Sequence, residues 1–160
     1  IAEGYYFDGW YINEQCTDPV PDEWVGSDNR LIPEAVDGLI SQATYYAKVV
    51  PCTLTIIKKG IVQSNETFLF RVTGGNENKR IDMVVSVTGN DSSTVQCIPQ
   101  GEYIITEIGD WSWKYDTPDS IETTVSDGNY NASVEFTNTR NKNNLLGEEI
   151  NINNKFSALS

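Results

Sequence analysis

Three side chains of unlike chemistry sit where strand geometry would carry them into a core. Alternate residues of a β-strand share one face. In "LTIIK" that rule groups Lys58 with Leu54 and Ile56, and in "YIITE" it groups Glu107 with Tyr103 and Ile105. In "SVEFTNTR" it groups Asn138 with Val134 and Phe136. An amine, a carboxyl and an amide thus each end an apolar row. An amine among apolar side chains loses the hydration of its charged form and becomes a neutral nucleophile. A carboxyl group in the same surroundings holds its proton and can polarise a carbonyl. The amine of Lys58 could then attack the side-chain carbonyl of Asn138, with Glu107 shuttling protons to the departing ammonia. The product is a Lys58–Asn138 isopeptide bond, formed once and without turnover. Rigid neighbouring strands would supply the proximity that so poor an electrophile needs.

Each residue alone has an ordinary reading. A lysine at a strand end usually snorkels to solvent, a glutamate there is usually solvated, and an asparagine before a loop is usually a turn residue. The facing of the lysine strand is also open, because a bulge would exchange Lys58 with Lys59.

The elements that must position these groups read as strands. From residue 53 onward "TLTIIK", "TFLFRVTG", "RIDMVVSVTG", "STVQCI", "GEYIITEI", "IETTV" and "ASVEFTNT" follow one another at short intervals. Gly74-Gly75, Gly89-Asn90, Pro99-Gln100-Gly101 and Asp127-Gly128 separate several of them with turn residues. About seven short strands in this span predict an all-β, immunoglobulin-like or prealbumin-like sandwich over residues 51–140. Residues 1–50 differ, with an aromatic opening "GYYFDGWYINE", an acidic middle and a close at "ATYYAKVV". Within them "PEAVDGLI" predicts a short helix with Pro33 at its first position. The join near Val50-Pro51 is the expected domain boundary. Residues 141–160 are Asn-rich and read as linker or disorder.

The motifs "LTIIKKG", "FLFRVTG", "IPQGEYIITEIGDW" and "VEFTNTR" together resemble the Cna protein B-type domain, the prealbumin-like module of Gram-positive surface adhesins and pilins. The resemblance covers about residues 52–140. It implies a first-strand lysine joined to a last-strand asparagine with a glutamate as catalyst, which here match Lys58, Asn138 and Glu107. It implies further a stalk module of a longer extracellular protein on a bacterial cell wall, partnered by its neighbouring domains. The sequence departs from the family pattern at Cys97, where an apolar residue is usual, and in the Trp-rich "GDWSWKYD". Neither departure removes a reacting group. More faintly, "GYYFDGWY" and "TYYAK" are similar to the second half of an internalin-type B repeat, a small β-grasp-like module.

Composition narrows the rivals. The chain of 160 residues carries 11 basic and 23 acidic side chains, a net charge of −12. That balance argues against nucleic acid or an anionic membrane as partner. No apolar run is long enough for a transmembrane helix. The absence of histidine removes the commonest general base and the usual zinc sites. No cofactor or metal is expected; "GNDSS" and "DTPDS" supply oxygen atoms but no EF-hand spacing. Three cysteines, Cys16, Cys52 and Cys97, allow at most one internal disulfide. A first residue of Ile, with no signal peptide behind it, suggests a fragment or processed product.

Two other functions remain from the residues alone. Trp111, Trp113 and Tyr115 alternate in "WSWKYD" and would form an aromatic surface for a sugar or protein ligand if that stretch is an exposed strand or loop; the competing reading has one or two of them cover the core edge. Paired carboxylates drawn from Asp8, Glu102, Glu107 and Asp110 would suit a glycoside hydrolase, but no spacing singles out a pair.

Overall fold

The computed structural model describes residues 1–33 and 44–141. The "PEAVDGLI" helix expected after Pro33, and the tail beyond Asn141, lie outside the described residues.

The aromatic opening forms β1 (Tyr5–Tyr11), which pairs antiparallel with β2 (Tyr46–Pro51). After a single residue, Cys52, the chain enters the sandwich. Its strands are β3 (Thr53–Lys59), β4 (Thr67–Gly75), β5 (Arg80–Thr88), β6 (Ser92–Gln96) and β7 (Gly101–Glu107). A two-residue β8 (Tyr115–Asp116) follows, then β9 (Ile121–Val125), β10 (Asn131–Thr137) and a short β11 (Thr139–Arg140). One sheet has the order β10-β3-β6 and the other β5-β4-β7-β9, while β8 and β11 pair with each other. The fold is an all-β sandwich, and its seven main strands are the seven that turn residues delimit in the sequence.

Period-two burial holds on all four inner strands. Leu54 and Ile56 of β3, Phe68, Phe70 and Val72 of β4, Tyr103 and Ile105 of β7, and Ala132, Val134 and Phe136 of β10 make up most of the core. The rings of Phe70 and Phe136 meet from opposite sheets at 5.0 Å between centroids. Each of the larger aliphatic and phenyl side chains contributes roughly 1.5–3 kcal/mol through the water it gives up, so the inward rows fix the register of every strand.

The first and last strands of the sandwich lie side by side. β10 runs parallel to β3, from Asn131 opposite Thr53 to Thr137 opposite Lys59. A parallel pair cannot be joined by a hairpin, and here the chain crosses to the other sheet and back before β10 returns. Beyond the strand ends the Asn138 N–H still donates to the Lys59 carbonyl at 3.1 Å. Gly60 makes that approach possible. Its φ is +81°, and a Cβ there would lie 2.0 Å from the Asn138 carbonyl oxygen.

The start of the chain packs on the sandwich. The Cys52 N–H donates to the Gly4 carbonyl at 2.8 Å, and the Tyr6 ring stacks on Tyr130 at 4.1 Å with the planes 5° apart. No helix among the described residues is long and apolar enough to cross a membrane.

Candidate functional site

Lys58 is the inward lysine. Its residue is 1 % exposed, whereas Lys59 points to solvent and pairs with Glu135 at 2.8 Å. The reason is parity without a bulge, since β3 and β10 stay in step through the whole ladder. Lys58 Nζ donates to Glu107 Oε2 at 3.0 Å, and neither side chain reaches solvent. The ammonium also lies 4.8 Å from the centroid of the Phe68 ring. Burial pushes the Lys58 pKa below its ordinary value, and its hydrogen bond and charge attraction to Glu107 oppose that shift.

Asn138 reaches the same carboxyl from the far strand. It follows β10 directly, keeps the inward parity of Val134 and Phe136, and donates from Nδ2 to Glu107 Oε1 at 2.7 Å. Glu107 closes β7 opposite Phe70 of β4, so its two oxygens face the lysine and the asparagine together. Asn138 Oδ1 is buried and has no hydrogen-bond partner among the described residues. A buried acceptor of this kind is costly. A half-turn of the amide exchanges Oδ1 with Nδ2, and which atom occupies which place is set by the hydrogen-bond network. With Oδ1 against Oε1, a protonated carboxyl would donate to it. Transfer of the Lys58 proton across the 3.0 Å contact supplies that state without changing the net charge of the pair. A neutral amine, a neutral acid and a polarised amide carbonyl are the components that aminolysis requires.

The aromatic run is placed differently from an exposed alternating strand. Gly109–Trp111 forms a 3₁₀ turn, and only Tyr115 and Asp116 of the stretch are extended. Tyr115 is corrected from a ligand-contact candidate to a core residue. It is buried, donates to Glu66 Oε2 at 2.5 Å and accepts from the Val62 N–H at 3.1 Å. Its apolar ring is held by Phe68, and its hydroxyl has two partners indoors. Trp111 is half-buried, with its ring 5.6 Å from that of Phe68 and Nε1 donating to the Thr67 carbonyl at 2.7 Å. Trp113 is 49 % exposed.

The other carboxylates do not assemble. Asp8 pairs with Lys48 at 2.9 Å. Glu102 lies on the outer face of β7, away from Glu107, and Asp110 is exposed in the 3₁₀ turn. Among the described residues no group of three or more acidic or cysteine side chains is placed to hold a metal ion. The asparagine of "GNDSS" is engaged with the Ile61 backbone through both side-chain atoms. The three cysteines are free thiols.

Glu66 is the functional-looking residue that the sequence reading missed. It is 3 % exposed and binds Lys114 through Oε1 and Tyr115 through Oε2. The signal was available. In "ETFLFRV" the parity that buries Phe68 and Phe70 carries Glu66 with them.

No family model matches the chain, and no curated protein matches it. Among solved structures, it is similar to a bacterial adhesin from Mobiluncus mulieris containing intramolecular disulfide, isopeptide and ester bond cross-links, determined in two space groups. One superposition has a TM-score of 0.45 at 10 % identity, covering 82 % of this chain and 54 % of the adhesin chain. The other has a TM-score of 0.39 at 14 % identity, covering 81 % and 53 %. The chain thus spans about half the length of the adhesin chain.

Proposed function

We propose that this chain is a structural stalk module of a bacterial cell-surface adhesin or pilus, locked by an autocatalytic isopeptide bond between Lys58 and Asn138. Glu107 is the catalytic residue. The observation that carries the reading is one solvent-sealed carboxyl in contact with both a buried amine and a buried amide. The likeness of "GEYIITE" and "FTNT" to a Cna B-type module supports the placement outside a Gram-positive cell.

In the reaction the Lys58 proton passes to Glu107. The Nζ lone pair then adds to the Asn138 side-chain carbon while the Glu107 acid supports the developing oxyanion. Collapse of the adduct breaks the C–Nδ2 bond, a proton from the attacking nitrogen reaches the leaving group by way of Glu107, and ammonia departs. The amine and amide become one secondary amide plus ammonia, with no oxidant and no cofactor.

The product would tie the first strand of the sandwich to the last. Closing a loop of about 80 residues removes unfolded-state entropy worth on the order of 4–5 kcal/mol, if the relation for disulfides transfers. Tension applied through the two ends of the sandwich would pass through the covalent bond and spare the strand ladders. Unlike a disulfide, the bond resists reductants.

The test is the intact mass of the purified, reduced chain beside Glu107→Ala and Asn138→Ala variants. The reading expects the wild type to be lighter by one ammonia and both variants to have full mass. A wild-type chain of full mass would sink it.

A further inference from the structure

We infer that the segment from Ile108 to Asp116, anchored by the buried carboxylate of Glu66, is a strap that sets and seals the cross-linking site, so that Glu66 is a positioning residue for bond formation. The inference rests on the reading of Lys58, Glu107 and Asn138 as reacting groups.

The strap touches the surroundings of all three. It starts immediately after Glu107, where the Ile108 N–H donates to the Leu69 carbonyl at 2.8 Å. It ends in β8, which pairs with β11, so Thr139, the neighbour of Asn138, lies opposite Asp116, and Arg140 lies opposite Tyr115. The Asn141 N–H donates to the Lys114 carbonyl at 2.8 Å and extends that tie. Between these ends the Trp111 and Tyr115 rings pack on Phe68 at 5.6 and 5.8 Å, and Phe68 is the ring that faces Lys58 Nζ. One continuous stretch therefore links the proton carrier, the chain beside the acceptor amide and the aromatic wall of the amine.

Glu66 holds the strap down. Its two oxygens bind Lys114 and the Tyr115 hydroxyl, two successive strap residues, and it immediately precedes β4, two positions before Phe68. A carboxylate buried this deeply needs its partners, and removal of one leaves an uncompensated group. That demand gives the strap one seated position. Seating it keeps water from the Lys58 amine and holds Asn138 at the level of Glu107. Glu107 binds Lys58 and Asn138 while Glu66 binds Lys114 and Tyr115, so the two acids have separate tasks.

The test follows ammonia loss in time, by intact mass, on freshly translated full-length chain quenched in denaturant at intervals and over a range of pH. Wild type is compared with Glu66→Gln and, in case that variant fails to fold, Lys114→Gln. Both should still cross-link, with rates lower on the order of tenfold to a hundredfold, the size expected when reacting groups lose alignment. The pH of half-maximal rate is the readout that a merely structural role would not move. The charged group in contact with Lys58 Nζ is Glu107 from β7, while β4 presents the neutral Phe68 ring and the chain after β10 the neutral Asn138 amide. Loss of the Glu66 charge alone would ease deprotonation of Lys58 and lower the midpoint, whereas loss of the Lys114 charge alone would hinder it and raise the midpoint. Admission of water raises it in both. A slower reaction in both variants, with an upward midpoint in Glu66→Gln against the direction of its charge loss, is the expected result. Wild-type rates and an unmoved midpoint in the variants, beside a wild type that cross-links, would overturn the strap alone. A wild type that never loses ammonia would remove the cross-link and the strap together.

Discussion

Lys58 Nζ and Glu107 Oε2 lie 3.0 Å apart with both side chains sealed from solvent, although they come from different sheets. A buried ion pair of this kind seldom adds net stability over an apolar pair of the same shape. Its presence at the meeting point of the first and last strands, with an amide on the second carboxylate oxygen, is what a cross-linking reaction would need.

The covalent bond should dominate the stability of the sandwich. Asn138→Ala leaves the Lys58–Glu107 pair in place but removes the electrophile. Urea denaturation of that variant against wild type is expected to show a loss of about 4 kcal/mol or more, of which loop entropy accounts for most. Equal midpoints would argue that no cross-link constrains the unfolded chain.

Without the bond, Lys58 should make stability depend on alkaline pH. Its folded-state pKa is lowered, chiefly by burial. Between that value and the ordinary lysine range the unfolded chain binds more protons than the folded one, so the Lys58 contribution rises with pH and is lost as pH falls through the folded pKa. In Asn138→Ala the unfolding free energy, followed by denaturant titration from neutral pH upward, should gain relative to Asn138→Ala/Lys58→Met. Parallel curves for the two proteins would contradict the assignment.

Tyr103 should behave in the opposite sense. Burial, and then the charge of Glu3, push its pKa up to about 12, and its hydroxyl donates to the Pro99 carbonyl at 2.5 Å. A raised folded pKa means stability that is intact below the ordinary tyrosine pKa near 10 and is lost as pH climbs through about 12. Ultraviolet titration of wild type against Tyr103→Phe should show the Tyr103 phenolate appearing only in that upper range.

Gly60 is expected to tolerate no side chain. Gly60→Ala forces a left-handed φ of +81° on alanine and drives its Cβ against the Asn138 carbonyl oxygen. A destabilisation of about 1–3 kcal/mol follows from the backbone alone, and displacement of Asn138 should slow ammonia loss as well. A variant with the wild-type melting point and cross-linking rate would show that the approach of Gly60 to Asn138 is looser than described.

The two tryptophans of the strap should separate cleanly. Trp113→Ala is expected to change stability by less than about 0.5 kcal/mol, as an exposed substitution. Trp111→Ala removes packing on Phe68 and the bond to Thr67, and should cost about 2 kcal/mol or more. Similar costs for both would mean that Trp113 is covered in solution.

Strand parity makes much of this legible in the sequence. The seven strand segments, their inward rows and the polar ends at Lys58, Glu107 and Asn138 all follow from alternation, because a half-buried strand has no other way to satisfy its apolar residues. Glu66 obeyed the same rule and was passed over only because it stands before its strand's first apolar residue instead of after the last. Tertiary structure decided the rest. Nothing local tells that β10 lies parallel to β3 rather than at a sheet edge, and that pairing is what brings Asn138 to Lys58 across 80 residues of chain. Nothing local tells that "WSWKYD" folds as a turn and a two-residue strand, because Tyr115 is fixed by partners at Glu66 and Val62 that lie far away in sequence. Alternation determined which side chains point inward; only the crossing of the chain between two sheets determined which of them meet.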